Sequence, residues 1–176
     1  MDELKNNPQI IELLETLEEN GMHKEKGEVS ALVSYIGDME HTLSAMLVEM
    51  QEMRKEVNMI HNSSVKAKCE NLIQTADGKI RQGVAAISKA KNNLIASAAN
   101  AMKAFREKGK EALKSAVKAM KIPETLDKLG KVFHSFAVSM NASVQNVQNA
   151  RMELGGAKKH LINAGRLFFG KEAKEN

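Results

Sequence analysis

Apolar residues return every three or four positions along most of this chain, the spacing of one helical face. The first such stretch is short. Asn7 suits an N-cap, Pro8 suits the first helical position, and Ile10, Ile11, Leu13, Leu14 and Leu17 form a stripe. Glu12, Glu15, Glu18 and Glu19 cover the remaining surface, and Asn20-Gly21 supplies a left-handed stop. A second predicted helix, residues 25–61, carries a strict heptad. Val29, Ile36, Leu43, Met50 and Val57 stand at position a, and Leu32, Met39, Met46, Met53 and Ile60 at position d. Apolar residues in every slot over five heptads are the pattern of a coiled-coil seam. The many methionines at d are pliable and encode an oligomeric state weakly.

Asn62-Ser63-Ser64 interrupts the heptad, because Ser64 and Asn71 stand where apolar residues are due. Either a tight turn starts a new helix here or one long helix shifts phase; the capping residues favour the turn. The third predicted helix occupies segment 62–122, running from about Ser64 to Lys121. Its stripe reads Cys69, Leu72, Ala76, Ile80, Val84, Ile87, Leu94, Ala98, Met102, Phe105, Gly109, Leu113, Val117 and Met120. Those steps approach an eleven-residue repeat, which predicts straight or slightly right-handed packing. At ~1.5 Å per residue the helix would be roughly 85 Å long. Gly78, Gly83 and Gly109 are candidate bend points.

Lys121-Ile122-Pro123 is the clearest break, since proline disfavours a helical residue before it. A fourth helix, within residues 123–176, repeats Leu126, Phe133, Met140, Val147, Leu154, Leu161 and Phe168 every seven positions. Leu129, Phe136, Ala150, Ala157 and Ala164 are their companions, with Ser143 the polar exception. Gly155-Gly156 is a second candidate kink, and the tail after Phe169-Gly170 is polar. The architecture that follows is all-α: an elongated antiparallel helical hairpin or three-helix coiled-coil arrangement in one unit. The third helix is its spine, and residues 1–24 form a short acidic accessory helix.

Composition narrows the class. One cysteine excludes a disulfide scaffold and a cysteine-based zinc module, and six aromatic residues with two prolines argue against a β-sandwich or barrel. Six acids stand among the first twenty residues, unlike a secretory leader, and no run approaches the ~18 apolar residues of a membrane span. The expectation is a cytoplasmic protein.

The net charge of +4 hides a division: residues 1–60 carry 13 acids and 5 bases, residues 61–176 carry 9 acids and 21 bases. The halves therefore stand at −8 and +12. Two flanks concentrate it. Glu28, Glu49 and Glu56 occupy g positions of the heptad helix and disfavour a parallel self-dimer. Lys103, Lys110, Lys114, Lys118 and Lys121 lie on one side of the Met102/Phe105/Leu113/Val117 stripe, with Ala101, Ala112, Ala116 and Ala119 on the other. A membrane-surface helix carries lysines on both borders. One alanine border instead predicts a packed neighbouring helix, the fourth, with the acidic first helix as candidate cover for the lysines. These eight charged residues are the candidate interaction sites.

Chemistry is hard to find. There is no Gly-x-Gly phosphate or dinucleotide motif, and His23, His41, His61, His134 and His160 never pair at helical spacing. Cys69 opens the third stripe and reads as a small buried thiol rather than a nucleophile. Ser63 and Ser64 read as capping residues, and the methionines Met39, Met46, Met50 and Met53 as seam rather than an exposed groove. No catalytic, metal or cofactor-binding residue is expected.

Four stretches carry a family resemblance: Asn7-Pro8-Gln9-Ile10-Ile11-Glu12-Leu13-Leu14, Ser30-Ala31-Leu32-Val33-Ser34-Tyr35-Ile36, Ala104-Phe105-Arg106-Glu107-Lys108-Gly109 and His160-Leu161-Ile162-Asn163-Ala164-Gly165-Arg166-Leu167. In these the chain resembles an uncharacterised family of small helical proteins from Firmicutes, often encoded near conjugative transposon genes. The resemblance implies a mobile-element context and no activity. The functional expectation is a non-enzymatic coiled-coil protein acting through helix-mediated association with itself or another protein, with no small-molecule substrate. The alternative is peripheral binding to an anionic membrane or non-specific binding to nucleic acid through segment 102–121.

Overall fold

In the computed structural model, residues 4–59 and 63–149 are described, except the side chains of Glu56, Ala137 and residues 139–149. Ile60 and Asn62 lie outside the described residues, as do the side chains of Met140, Ser143 and Val147. So does everything from Ala150 onward: the seam residues Leu154, Ala157, Leu161, Ala164 and Phe168, the Gly155-Gly156 pair and the polar tail. The described residues form five helices and no strand: α1 (Pro8–Glu19), α2 (His23–Asn58), α3 (Ser63–Lys108), α4 (Lys110–Ala119) and α5 (Ile122–Asn149). The all-α class is as the periodicity predicts, including the short N-terminal helix.

Helix α1 begins and ends by the chemistry its sequence announces. The Asn7 side chain accepts from the Gln9 and Ile10 amides at 3.0 and 3.4 Å, with Pro8 next in line. At the other end Gly21 adopts φ 69°, its N–H donates to Glu18 O at 2.9 Å, and Met22 N–H donates to Leu17 O at 2.8 Å. That pair of bonds is a Schellman stop, which satisfies carbonyls that the helix end would otherwise leave bare. Ile10, Leu13 and Leu17 are buried, whereas Ile11 is exposed.

The chain forms two compact units, one from Met1–Glu40 with Ala86–Gly130, the other from His41–Ala85 with Lys131–Asn176. Both cut across the predicted helices, so that parts of several helices build each core. In the first unit the core includes Leu4, Ile10, Leu13, Leu17, Val29, Leu32, Ile36, Leu94, Ala98, Ala101, Leu113 and Val117. Lys91 pairs with Glu40 at 3.1 Å, joining α3 to α2. In the second unit Leu43, Met46, Met50, Met53 and Val57 from α2 are buried, as are Cys69, Ile73, Ala76 and Ile80 from α3. Asp77 receives Arg54 from α2 at 3.3 Å and Arg81 from its own helix at 2.8 Å. All described a and d residues of α2 are buried except Met39, which is half-buried.

Helix α3 corrects three expectations. Its buried face runs Cys69, Ile73, Ala76, Ile80, Gly83, Ile87, with steps of four and three, which is a heptad. Between Cys69 and Ile87 the predicted eleven-residue stripe departs from this seam at two positions, Leu72, which is half-buried, and Val84, which is 38% exposed, whereas Leu94, Ala98, Met102, Leu113 and Val117 of that stripe are buried as expected. Gly83 explains the miss. A Cβ on it would lie 3.2 Å from Leu43 Cδ2 and 3.9 Å from Phe133 Cε1, so this glycine is an interior position where helices approach closely. A search for large apolar residues passes over it. Gly78 and Gly83 do not interrupt the helix; Gly109 does. The predicted helix to Lys121 stops at Lys108, because Gly109 takes φ 74°, ψ −162°, a conformation side chains rarely allow, and α4 starts beyond it.

The break predicted at Lys121-Ile122-Pro123 occurs at Met120–Lys121. Lys121 adopts φ 49°, and its carbonyl accepts both the amide and the hydroxyl of Thr125 at 3.0 Å. Along α5, Leu129, Phe133 and Phe136 of the predicted seam are buried and Leu126 is half-buried, and Ile122, expected in the break, is buried as well. The turn reading near residue 62 agrees with the helix ends, since α2 stops at Asn58 and α3 starts at Ser63.

Candidate interaction surface

Gly109 gives the lysines a helix of their own. On α4, Leu113 and Val117 are buried, while Lys110, Lys114 and Lys118 are exposed at steps of four. The apolar side of α4 is thus already used inside its unit, and the ammonium groups form a row on the outer side. None of these three makes an ion pair among the described residues. Lys121 is exposed just past the helix. Lys103, one helix earlier, is exposed and sits 3.9 Å from Glu107. On the alanine side, Ala101 is buried, Ala112 and Ala116 are half-buried and Ala119 is exposed.

The acidic first helix does not cover that row as expected. Its Glu12 reaches Arg106 near the end of α3 instead. Arg106 shares the lysine spacing, three residues after Lys103 and four before Lys110, and is told apart from the lysines by its partner on α1 rather than by its position. Glu18 is bonded to Lys26 at 2.9 Å and to His23 at 3.3 Å, and these hydrogen bonds hold its carboxyl below the usual range. Glu15 and Glu19 are exposed and make no ion pair among the described residues. Nothing in their spacing marks them off from their neighbours; only the partners taken by Glu12 and Glu18 do so.

The flank of α2 is less uniform than its heptad positions suggest. Glu28 is half-buried, with Lys24 at 4.0 Å. Glu49 is half-buried and engaged with a neighbour, and the Glu56 side chain lies outside the described residues. The overall charge division closes to a large extent inside the first unit. Its segment 1–40 carries ten acids and three bases, its segment 86–130 four acids and ten bases, so −7 meets +6.

Concave surface is modest. In the first unit an open cleft of about 310 Å³ is lined by Leu32, Ala90, Asn93, Leu94, Ala96, Ser97, Ala119, Met120 and Thr125, without a carboxylate, histidine or thiol. In the second, one of about 320 Å³ lies over Gly83, Phe133 and Phe136, with Lys79 and Lys131 at its border. Cys69 is free and buried; burial pushes its thiol pKa up, and the charge of Glu70 adds to the shift. A thiol in that state is a packing group. Among the described residues no three His, Cys, Asp or Glu side chains could hold a metal, and His61 and His160 lie outside them. No helix of the described residues is long and apolar enough to cross a membrane.

No curated protein and no solved structure matches the chain. A family model does match, over residues 6–176, and by that match the chain belongs to the Family of unknown function (DUF6674).

Proposed function

We propose that this chain is a non-enzymatic helical protein that works by association with another protein, and that the lysine row of α4 is its contact surface. The observation that carries the reading is the row itself: Lys110, Lys114 and Lys118 are exposed, evenly spaced and without an ion pair among the described residues. Such a row fits an acidic helix or strip, for which it supplies orientation and encounter rate. Lys121 and Lys103 extend it. The reading has the chain working in the cytoplasm, consistent with one unpaired, buried cysteine. The resemblance to Firmicutes proteins encoded near conjugative transposons extends it to an accessory role in a mobile element.

The same exposed lysines favour a second reading, adsorption to an anionic membrane or to nucleic acid. Burial of Leu113 and Val117 argues against it for membranes, because α4 keeps no apolar face to insert. Co-sedimentation with anionic vesicles and with DNA separates the two. A protein-binding surface leaves the chain in solution with both at about 0.15 M salt. Salt-sensitive pelleting, lost on reversing Lys110, Lys114 and Lys118 to glutamate, would replace the protein partner with a polyanion.

A further inference from the structure

We infer that α1 and α4 together form a self-complementary docking face for a second copy of this chain, the glutamate row of each copy lying on the lysine row of the other. This rests on the reading of the lysine row as a protein contact and names the partner.

Four observations meet in the first unit. Lys110, Lys114 and Lys118 form an exposed row, and Glu15 and Glu19 form another, both without ion pairs among the described residues. Both rows stand on helices with residues four apart, so their charges recur about every 6 Å and can meet tooth for tooth. The Glu12–Arg106 contact ties α1 to the end of α3, three residues before the glycine that starts α4. Along the chain each row begins about one helical turn from that contact, Glu15 three residues after Glu12 and Lys110 four after Arg106. A two-fold axis then brings each row onto its opposite, the arrangement of an isologous dimer.

The charge of the unit selects this occupant over a polyanion. With −7 in one segment and +6 in the other, two such units do not repel as bodies. On such a face an anionic vesicle or a phosphate backbone would meet Glu15 and Glu19 as well as the lysines. Exposed pairs are individually weak and screened by salt, so the dimer is weak and salt-sensitive.

Sedimentation equilibrium of the full chain tests this. Wild type is expected to dimerise at low salt, with dissociation rising ~10-fold or more by about 0.5 M salt. The triple variant Lys110→Glu/Lys114→Glu/Lys118→Glu and the double variant Glu15→Lys/Glu19→Lys are each expected to be monomeric with wild-type circular dichroism. Mixed together they should form a dimer, since every facing pair is then of opposite sign. A monomeric wild type at low salt overturns the inference. So does a mixture that stays monomeric, or a dimer indifferent to salt. A monomeric wild type leaves the broader reading standing if the triple variant still loses a heterologous protein partner.

Discussion

At the residue scale, the same substitution should have opposite signs at two glycines. Gly109 has open space around it but holds φ 74° with ψ −162°, so an alanine there is strained by its own backbone. Gly109→Ala should cost ~1–3 kcal/mol in a denaturant titration. Gly78 is a helix-interior glycine with no unusual φ, and a Cβ placed on it would have nothing within 4 Å. Gly78→Ala should therefore stabilise by ~0.5–1 kcal/mol, the gain in helix propensity. Gly83 stands between: its helix would gain, but Leu43 Cδ2 at 3.2 Å must give way. Three glycines that look alike in the sequence are a stop, an idle position and a close approach. The difference lies in backbone angle and neighbours, which one residue letter does not carry.

At the element scale, the pairing of α2 with α3 in the second unit has a polar and an apolar support. Asp77 is half-buried between Arg81 and Arg54. The Arg81 hydrogen bond, with the Arg54 charge behind it, holds its carboxyl below the usual range against the opposing effect of burial. A lowered folded-state pKa contributes stability above the unfolded value of about 3.9, lost as pH falls through the folded value. Wild type should therefore lose more stability than Asp77→Asn below about pH 4, while Asp77→Asn costs ~1 kcal/mol near neutrality. The apolar support is larger. Leu43 is 1% exposed and touches the Gly83 position, so Leu43→Ala should cost ~2–5 kcal/mol. Val48, 58% exposed on the same helix, should tolerate alanine within about 0.5 kcal/mol in the same titration. The α2 seam is legible in the sequence because large aliphatic side chains mark every slot. On α3 small residues hold seam slots, so the helix is legible but its period is not. The α1 caps are legible outright, since Asn7, Pro8 and Gly21 each have one dominant use at a helix end.

At the scale of the whole molecule, much of the charge division between the two halves of the sequence closes within the first unit. The first unit draws most of its acids from before residue 41 and most of its bases from after residue 85, and brings them to near neutrality. The ion pairs Glu12–Arg106 and Glu40–Lys91 join those segments directly. The lysines of α4 remain outward, and their exposure could not be read from the sequence because it depends on which base Glu12 and its neighbours choose. Reversing three exposed, unpaired lysines should shift stability little, within about 0.5 kcal/mol per site, so a change in binding can be read as loss of contact. Affinity capture in the native host, wild type beside Lys110→Glu/Lys114→Glu/Lys118→Glu, is the most direct test. A protein partner held by wild type and lost by the variant, at unchanged melting temperature, is the predicted result. Equal capture by both chains would contradict the account and take the lysine row out of the function.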